Sequence, residues 1–135
     1  QRRDAALPLR AAHLIDHVSF VVAPRDVAAC AGFYELLGFV QIEPPAGLGE
    51  RSIWLTLGSS SIHLMFREAD GHDVEGPIEP GAGHVAIVVE RYEQVVAALA
   101  AAGVEVDPRS EYWGAARSYL RDPAGNRVEL MAGAP

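Results

Sequence analysis

The stretch Asp16-His17-Val18-Ser19-Phe20-Val21-Val22 decides how this chain is read, because it returns at Gly83-His84-Val85-Ala86-Ile87-Val88-Val89. In both copies a histidine stands second, ahead of an apolar, β-branched run of strand composition. The two histidines, at 17 and 84, lie 67 positions apart in a chain of 135 residues. Alternation along the first copy puts Ile15, His17, Ser19 and Val21 on one face, and Asp16, Val18, Phe20 and Val22 on the other. The greasier second face is expected to meet a helix.

The same order of elements follows each copy. Pro24 and Asp26 suit the start of a helix. Val27, Cys30, Ala31, Tyr34 and Leu37 then recur at helical spacing, and Gly38 fits the C′ position. Phe39 to Ile42 reads as a strand, broken by Pro44-Pro45 and a glycine-containing loop. Ser52–Leu57 and Ser61–Phe66 read as a hairpin across Gly58-Ser59-Ser60. A polar stretch from 67 to 83, with His72 and Asp73 assigned to the surface, links the halves. In the second half come a strand from His84 to Val89, a helix from Tyr92 to Ala102, Gly103 as its cap and a short strand at Val104-Glu105-Val106. Ala115–Arg121 and Arg127–Met131 form a closing hairpin around Asp122-Pro123-Ala124-Gly125-Asn126.

Each half is therefore βαβββ, and neither is large enough to stand alone. The expected fold is α+β: two βαβββ modules forming a cupped, half-barrel sheet with helices on the outside. One domain is expected over 13–133, with module 1 at about 13–68, module 2 at about 83–133 and an N-terminal extension at 1–12.

Composition narrows the function classes. Half the residues are apolar and 21% are charged, both ordinary for a globular domain. The net charge is −7, there is no lysine, and the 11 arginines are scattered. Such a chain lacks the basic patch of a nucleic-acid or anionic-membrane surface. No apolar run reaches the length of a membrane span, and the charged first residues lead into no apolar core of a signal peptide. One cysteine, Cys30, allows no internal disulfide and fits a reducing, cytoplasmic setting; on its helix it reads as a buried, inert thiol.

The last strands of the two modules align as well. Ile62-His63-Leu64-Met65 answers Val128-Glu129-Leu130-Met131, so His17, His63, His84 and Glu129 interrupt apolar strands at matching places. A single strand histidine is usually a hydrogen-bonded core residue, and a lone strand glutamate is often an edge charge. Four polar groups at repeat-equivalent positions are better explained by one shared partner. Three imidazoles and a carboxylate suit a divalent metal, zinc first, with nickel, cobalt, iron and manganese also compatible. On an octahedral ion, four protein ligands leave two positions open.

These residues, together with Phe33-Tyr34-Glu35-Leu36-Leu37-Gly38-Phe39 and the ending Arg121-Asp122-Pro123-Ala124-Gly125-Asn126-Arg127-Val128-Glu129-Leu130, resemble the vicinal oxygen chelate superfamily. That superfamily includes glyoxalase I, methylmalonyl-CoA epimerase, extradiol dioxygenases, fosfomycin-resistance transferases and metal-free bleomycin-resistance proteins. The resemblance implies a metal held by His17, His63, His84 and Glu129, with two vicinal oxygens of a small substrate on its open positions. It also implies a homodimer, with cups paired within one chain or across two. In the second case His17 and His63 come from one subunit, and His84 and Glu129 from the other.

His63 is the departure. Glyoxalase I usually carries glutamate there and the epimerase glutamine, while the three-ligand relatives match only His17, His84 and Glu129. Glu129 is left as the candidate base. The leading expectation is a metal-dependent enzyme of glyoxalase or epimerase type, a lyase or isomerase. A dioxygenase or thiol transferase is the alternative, and a non-catalytic drug- or metabolite-binding protein the third. Around the quartet, Arg117 and Tyr119 share a strand face. Arg117 is a candidate to hold a substrate carboxylate or phosphate, or else a rim salt bridge. Trp54 and Trp113 are candidates to line the cup, Glu43 for a second base, and Ser19 and Met65 for wall.

Overall fold

The computed structural model describes residues 14–68, 76–79 and 83–135. The expected N-terminal extension, His72 and Asp73 lie outside the described residues.

Module 1 comprises β1 (His17–Val22), a 3₁₀ turn (Pro24–Asp26), α1 (Val27–Leu36), β2 (Val40–Ile42), β3 (Ser52–Leu57) and β4 (Ser60–Phe66). Module 2 comprises β5 (Val85–Val88), α2 (Tyr92–Ala101), β6 (Asp107–Arg109), β7 (Arg117–Arg121) and β8 (Arg127–Met131). They form two four-stranded mixed sheets, in the orders β1-β4-β3-β2 and β5-β8-β7-β6, and neither closes into a barrel. The first strand of each module lies parallel to its last, and the other pairings are antiparallel.

The repeat extends to the helix ends. After α1, the Gly38 amide bonds to the Glu35 carbonyl and the Phe39 amide to the Tyr34 carbonyl, both at 3.0 Å. After α2, Gly103 bonds to Ala100 and Val104 to Leu99, again at 3.0 Å. Both are Schellman caps, and both place glycine in the left-handed region, at φ +99° for Gly38 and +85° for Gly103.

One apolar core runs through both modules, joining Val22, Phe33, Leu55 and Leu64 of the first to Leu99, Leu120 and Val128 of the second. Phe20 packs against this core and Val22 lies within it, so the greasier face of β1 meets the helix side as the alternation predicts. At the centre, Tyr34 is fully buried and its hydroxyl donates to Asp122 Oδ2 at 2.7 Å. Three donors from the Asp122–Asn126 turn complete that carboxylate: the amides of Ala124 and Asn126 on Oδ1, and the Asn126 side chain on Oδ2. A buried charge persists when its lone pairs are filled in this way. Beside it, burial foremost and Asp122 second push the Cys30 thiol up to about 12, which makes it inert.

Several element boundaries differ from expectation, most by one or two residues. β1 begins at His17, leaving Ile15 and Asp16 ahead of it, and β5 begins at Val85, so His84 immediately precedes its strand. The short strand expected at Val104–Val106 falls at Asp107–Arg109. Val104 and Val106 pack against the core instead, and the chain reaches pairing register with β7 only beyond them. Pro108 is accommodated because β6 ends its sheet, where a missing amide hydrogen costs no ladder bond.

Candidate functional site

Alternation along the strands sends one set of side chains into the core and the other to the face away from the helices. In module 1, Ile62 and Leu64 enter the core, which leaves His63 on the other face of β4. In module 2, Val128 and Leu130 enter it, and Glu129 is left on the other face of β8. The registers of the two sheets match. Ser19, two residues after His17, pairs with His63; Ala86, two residues after His84, pairs with Glu129. Directly across the next strand stand Trp54 opposite His63 and Tyr119 opposite Glu129. The residues His17, His63 and Trp54 therefore correspond one for one to His84, Glu129 and Tyr119.

The module 1 half-site is a stack of rings. Trp54 lies on His63 with centroids 3.9 Å apart and planes 5° from parallel. His17 stacks on His63 at 4.0 Å and 15°. Because β4 runs between β1 and β3, the His63 imidazole is sandwiched, and only its edge can approach a ligand. Burial foremost, and then His17, lower the pKa of His63, which keeps its nitrogen lone pair available. His17 Nδ1 lies 2.8 Å from Asp16 Oδ2, which fixes the ring by one nitrogen and leaves Nε2 for other partners.

The module 2 half-site is ionic. His84 Nε2 is 3.1 Å from Glu129 Oε1, and Arg117 Nη1 donates to Glu129 Oε2 at 3.0 Å. Glu129 is only 5% exposed, so its charge is held by these partners. Tyr119 meets His84 edge-on, with centroids 5.0 Å apart. Arg109 lies over the Tyr119 ring at 4.8 Å and is anchored to the Ile78 carbonyl and to Asp107.

The structure gathers the quartet as two pairs, His17 with His63 and His84 with Glu129. Among the described residues, no group of three or more His, Cys, Asp or Glu side chains is placed to hold a metal ion within one chain. Each pair sits beside the first strand of its module, and each of those strands ends its sheet. A cavity of about 740 Å³ opens between β1 and β5, with Asp16, His17 and His84 in its wall beside Phe20, Leu57 and Ile87. The donor chemistry fits a divalent ion: neutral imidazole at His63 and a carboxylate at Glu129.

The other candidates separate. Trp54, Arg117 and Tyr119 stand on the quartet's faces. Trp113 donates to the Gly133 carbonyl at 2.7 Å and lies near the Arg117 guanidinium. Glu43 is exposed just past β2, and no hydrogen bond or ion pair joins it to either pair among the described contacts. Two contributors were not foreseen: Asp16 as the partner of His17, and Arg109 over Tyr119. Asp16 had a signal, a carboxylate beside a strand histidine; Arg109 had none, because its role depends on the register of β6.

A family model described as the Glyoxalase/Bleomycin resistance protein/Dioxygenase superfamily matches residues 14–130. Among solved structures, a glyoxalase family protein from Bacillus anthracis is 26% identical, with TM-score 0.72 over 88% of this chain and 93% of that one. A glyoxalase family protein from Enterococcus faecalis is 27% identical, with TM-score 0.65 over 90% and 98%. The fold is also shared with the fosfomycin resistance protein FosX from Listeria monocytogenes, 19% identical, with TM-score 0.68 over 91% of each chain. That FosX structure is a complex with Mn(II) and 1S,2S-dihydroxypropylphosphonic acid. No curated protein matches the chain in sequence.

Proposed function

Because the chain belongs to the Glyoxalase/Bleomycin resistance protein/Dioxygenase superfamily, we propose that it is a divalent-metal-dependent lyase or isomerase of glyoxalase or epimerase type. Its substrate is a small molecule that offers two neighbouring oxygens. The observation that carries this reading is the matched register, which sets His17 beside His63 and His84 beside Glu129 on equivalent faces of two sheets. A bound divalent ion, with zinc the first choice, supplies Lewis-acid polarisation of a substrate carbonyl.

The chain's own residues do the rest. His17, His63 and His84 offer imidazole nitrogens, and Glu129 offers carboxylate oxygen, as ligands. Glu129 is also assigned the proton that moves between substrate carbon and enzyme. Trp54 and Tyr119, set at equivalent places beside the two pairs, form the walls against which a substrate lies.

A second copy of the chain completes the site in this reading, with His17 and His63 from one subunit and His84 and Glu129 from the other. Two features support it: each chain carries two separate pairs, and β1 and β5 both end their sheets with apolar groups exposed beside them, Ile15 at 81% and Val88 at 49%. Metal analysis of protein purified without chelator tests the proposal. One divalent ion per chain is expected, with loss of binding in His17→Ala. Protein without stoichiometric metal, or a His17→Ala variant that binds as wild type does, contradicts it.

In the alternative reading, a ring-cleaving dioxygenase or fosfomycin-type thiol transferase, His63 serves as a structural ring stacked between Trp54 and His17 and three ligands hold the ion. Anaerobic loading with Fe(II), followed by oxygen uptake on catechols, identifies the dioxygenase.

A further inference from the structure

Arg117, a candidate either to hold a substrate anion or to form a salt bridge at the rim, makes a largely buried ion pair with Glu129. The side chain is only 11% exposed. Its Nε donates to the Ser110 carbonyl at 2.7 Å, and its Nη1 to Glu129 Oε2 at 3.0 Å. A longer contact of 3.4 Å joins the same nitrogen to the Tyr119 hydroxyl. Three rings border the guanidinium: Tyr112 at 5.1 Å, Tyr119 at 5.6 Å and Trp113 at 5.8 Å. A guanidinium anchored to backbone and boxed by aromatic faces is held in one orientation, and a charge-assisted bond from it fixes the carboxylate it meets.

We propose that Arg117 is a positioning residue for Glu129: it occupies Oε2, so the carboxylate presents Oε1 alone towards His84 and the metal. The inference rests on the reading of Glu129 as a ligand. The two oxygens already have different partners, His84 on Oε1 and Arg117 on Oε2. With Oε2 engaged, Glu129 ligates through one oxygen, and a coordination position that a bidentate carboxylate would fill stays open for substrate. The backbone bond to Ser110 ties this arrangement to the segment that carries Tyr112 and Trp113. Lysine reproduces the charge at this position but not the fork that reaches Ser110 and Glu129 together.

The test uses the full chain, with Mn(II) affinity and the visible spectrum of the Co(II)-loaded protein as readouts. Partners that orient a ligand typically contribute 10–100-fold to metal affinity. Arg117→Gln is expected to weaken Mn(II) binding by roughly that factor. It should also change the Co(II) absorption bands, which report coordination number and which a merely structural role would leave alone. Arg117→Lys is expected to restore part of the affinity, and it decides the question by the same two measurements if Arg117→Gln does not fold. Wild-type affinity and an unchanged Co(II) spectrum in these variants overturn the positioning role alone. Wild-type protein that binds neither ion overturns the metal reading and this inference together.

Discussion

His63 is the residue on which the two readings of the chemistry part. It is 7% exposed, covered on one face by Trp54 and on the other by His17, and burial lowers its pKa below the ordinary histidine value. A histidine with a depressed folded-state pKa binds fewer protons when folded than when unfolded. Its contribution to stability is therefore complete above the unfolded value near 6.5, and it is lost as pH falls through the lower folded value. The metal-free protein is expected to melt at lower temperature at pH 5 than at pH 7.5, and His63→Gln should flatten part of that slope. An identical pH dependence in the variant would show that His63 is not held neutral by its surroundings. The candidates His17, His63, His84 and Glu129 were legible from sequence because each interrupts an apolar strand at a repeat-equivalent place. The bond from Arg117 to Glu129 was not, because the two lie on neighbouring strands and their pairing depends on side-chain reach.

At the scale of elements, the structure rests on pairs of equivalent devices. The two Schellman caps were readable in Leu37-Gly38-Phe39 and Ala102-Gly103-Val104, since a positive-φ glycine after an amphipathic run is a local signal. β6 was misplaced by three residues because Val104 and Val106 have strand composition yet are claimed by the core. The joint between modules was also invisible in sequence. Tyr34, on α1, donates to Asp122 in the last hairpin, 88 positions away. Tyr34→Phe removes one of the four donors to a buried carboxylate, and bonds to charged groups contribute about 1.5–3 kcal/mol each. Urea unfolding should show a loss of that order, without change in the metal content of the folded protein. A loss below about 0.5 kcal/mol, within the range of an ordinary surface substitution, would mean that the joint contributes little.

For the whole molecule, the internal repeat gave the architecture in outline, two βαβββ modules with one helix each, while the parallel placing of each first strand beside the last is seen in the structure. Sequence could not say whether the four candidate ligands meet within one chain, since that depends on how the modules are set against each other. In the structure the modules share a core through their helix-facing sides, and the two ligand pairs stand apart on their other faces. No described helix is long and apolar enough to cross a membrane. In the proposed assembly, one metal site is built from the module 1 pair of one chain and the module 2 pair of another. The most direct measurement is the metal content of a heterodimer purified through two different tags, one chain carrying His63→Ala and the other Glu129→Ala. Sites formed across chains leave one cup with both substitutions and one with neither, so the heterodimer should hold one ion per dimer while each mutant homodimer holds none. A heterodimer without metal, or a chain that forms no dimer, would contradict the claim.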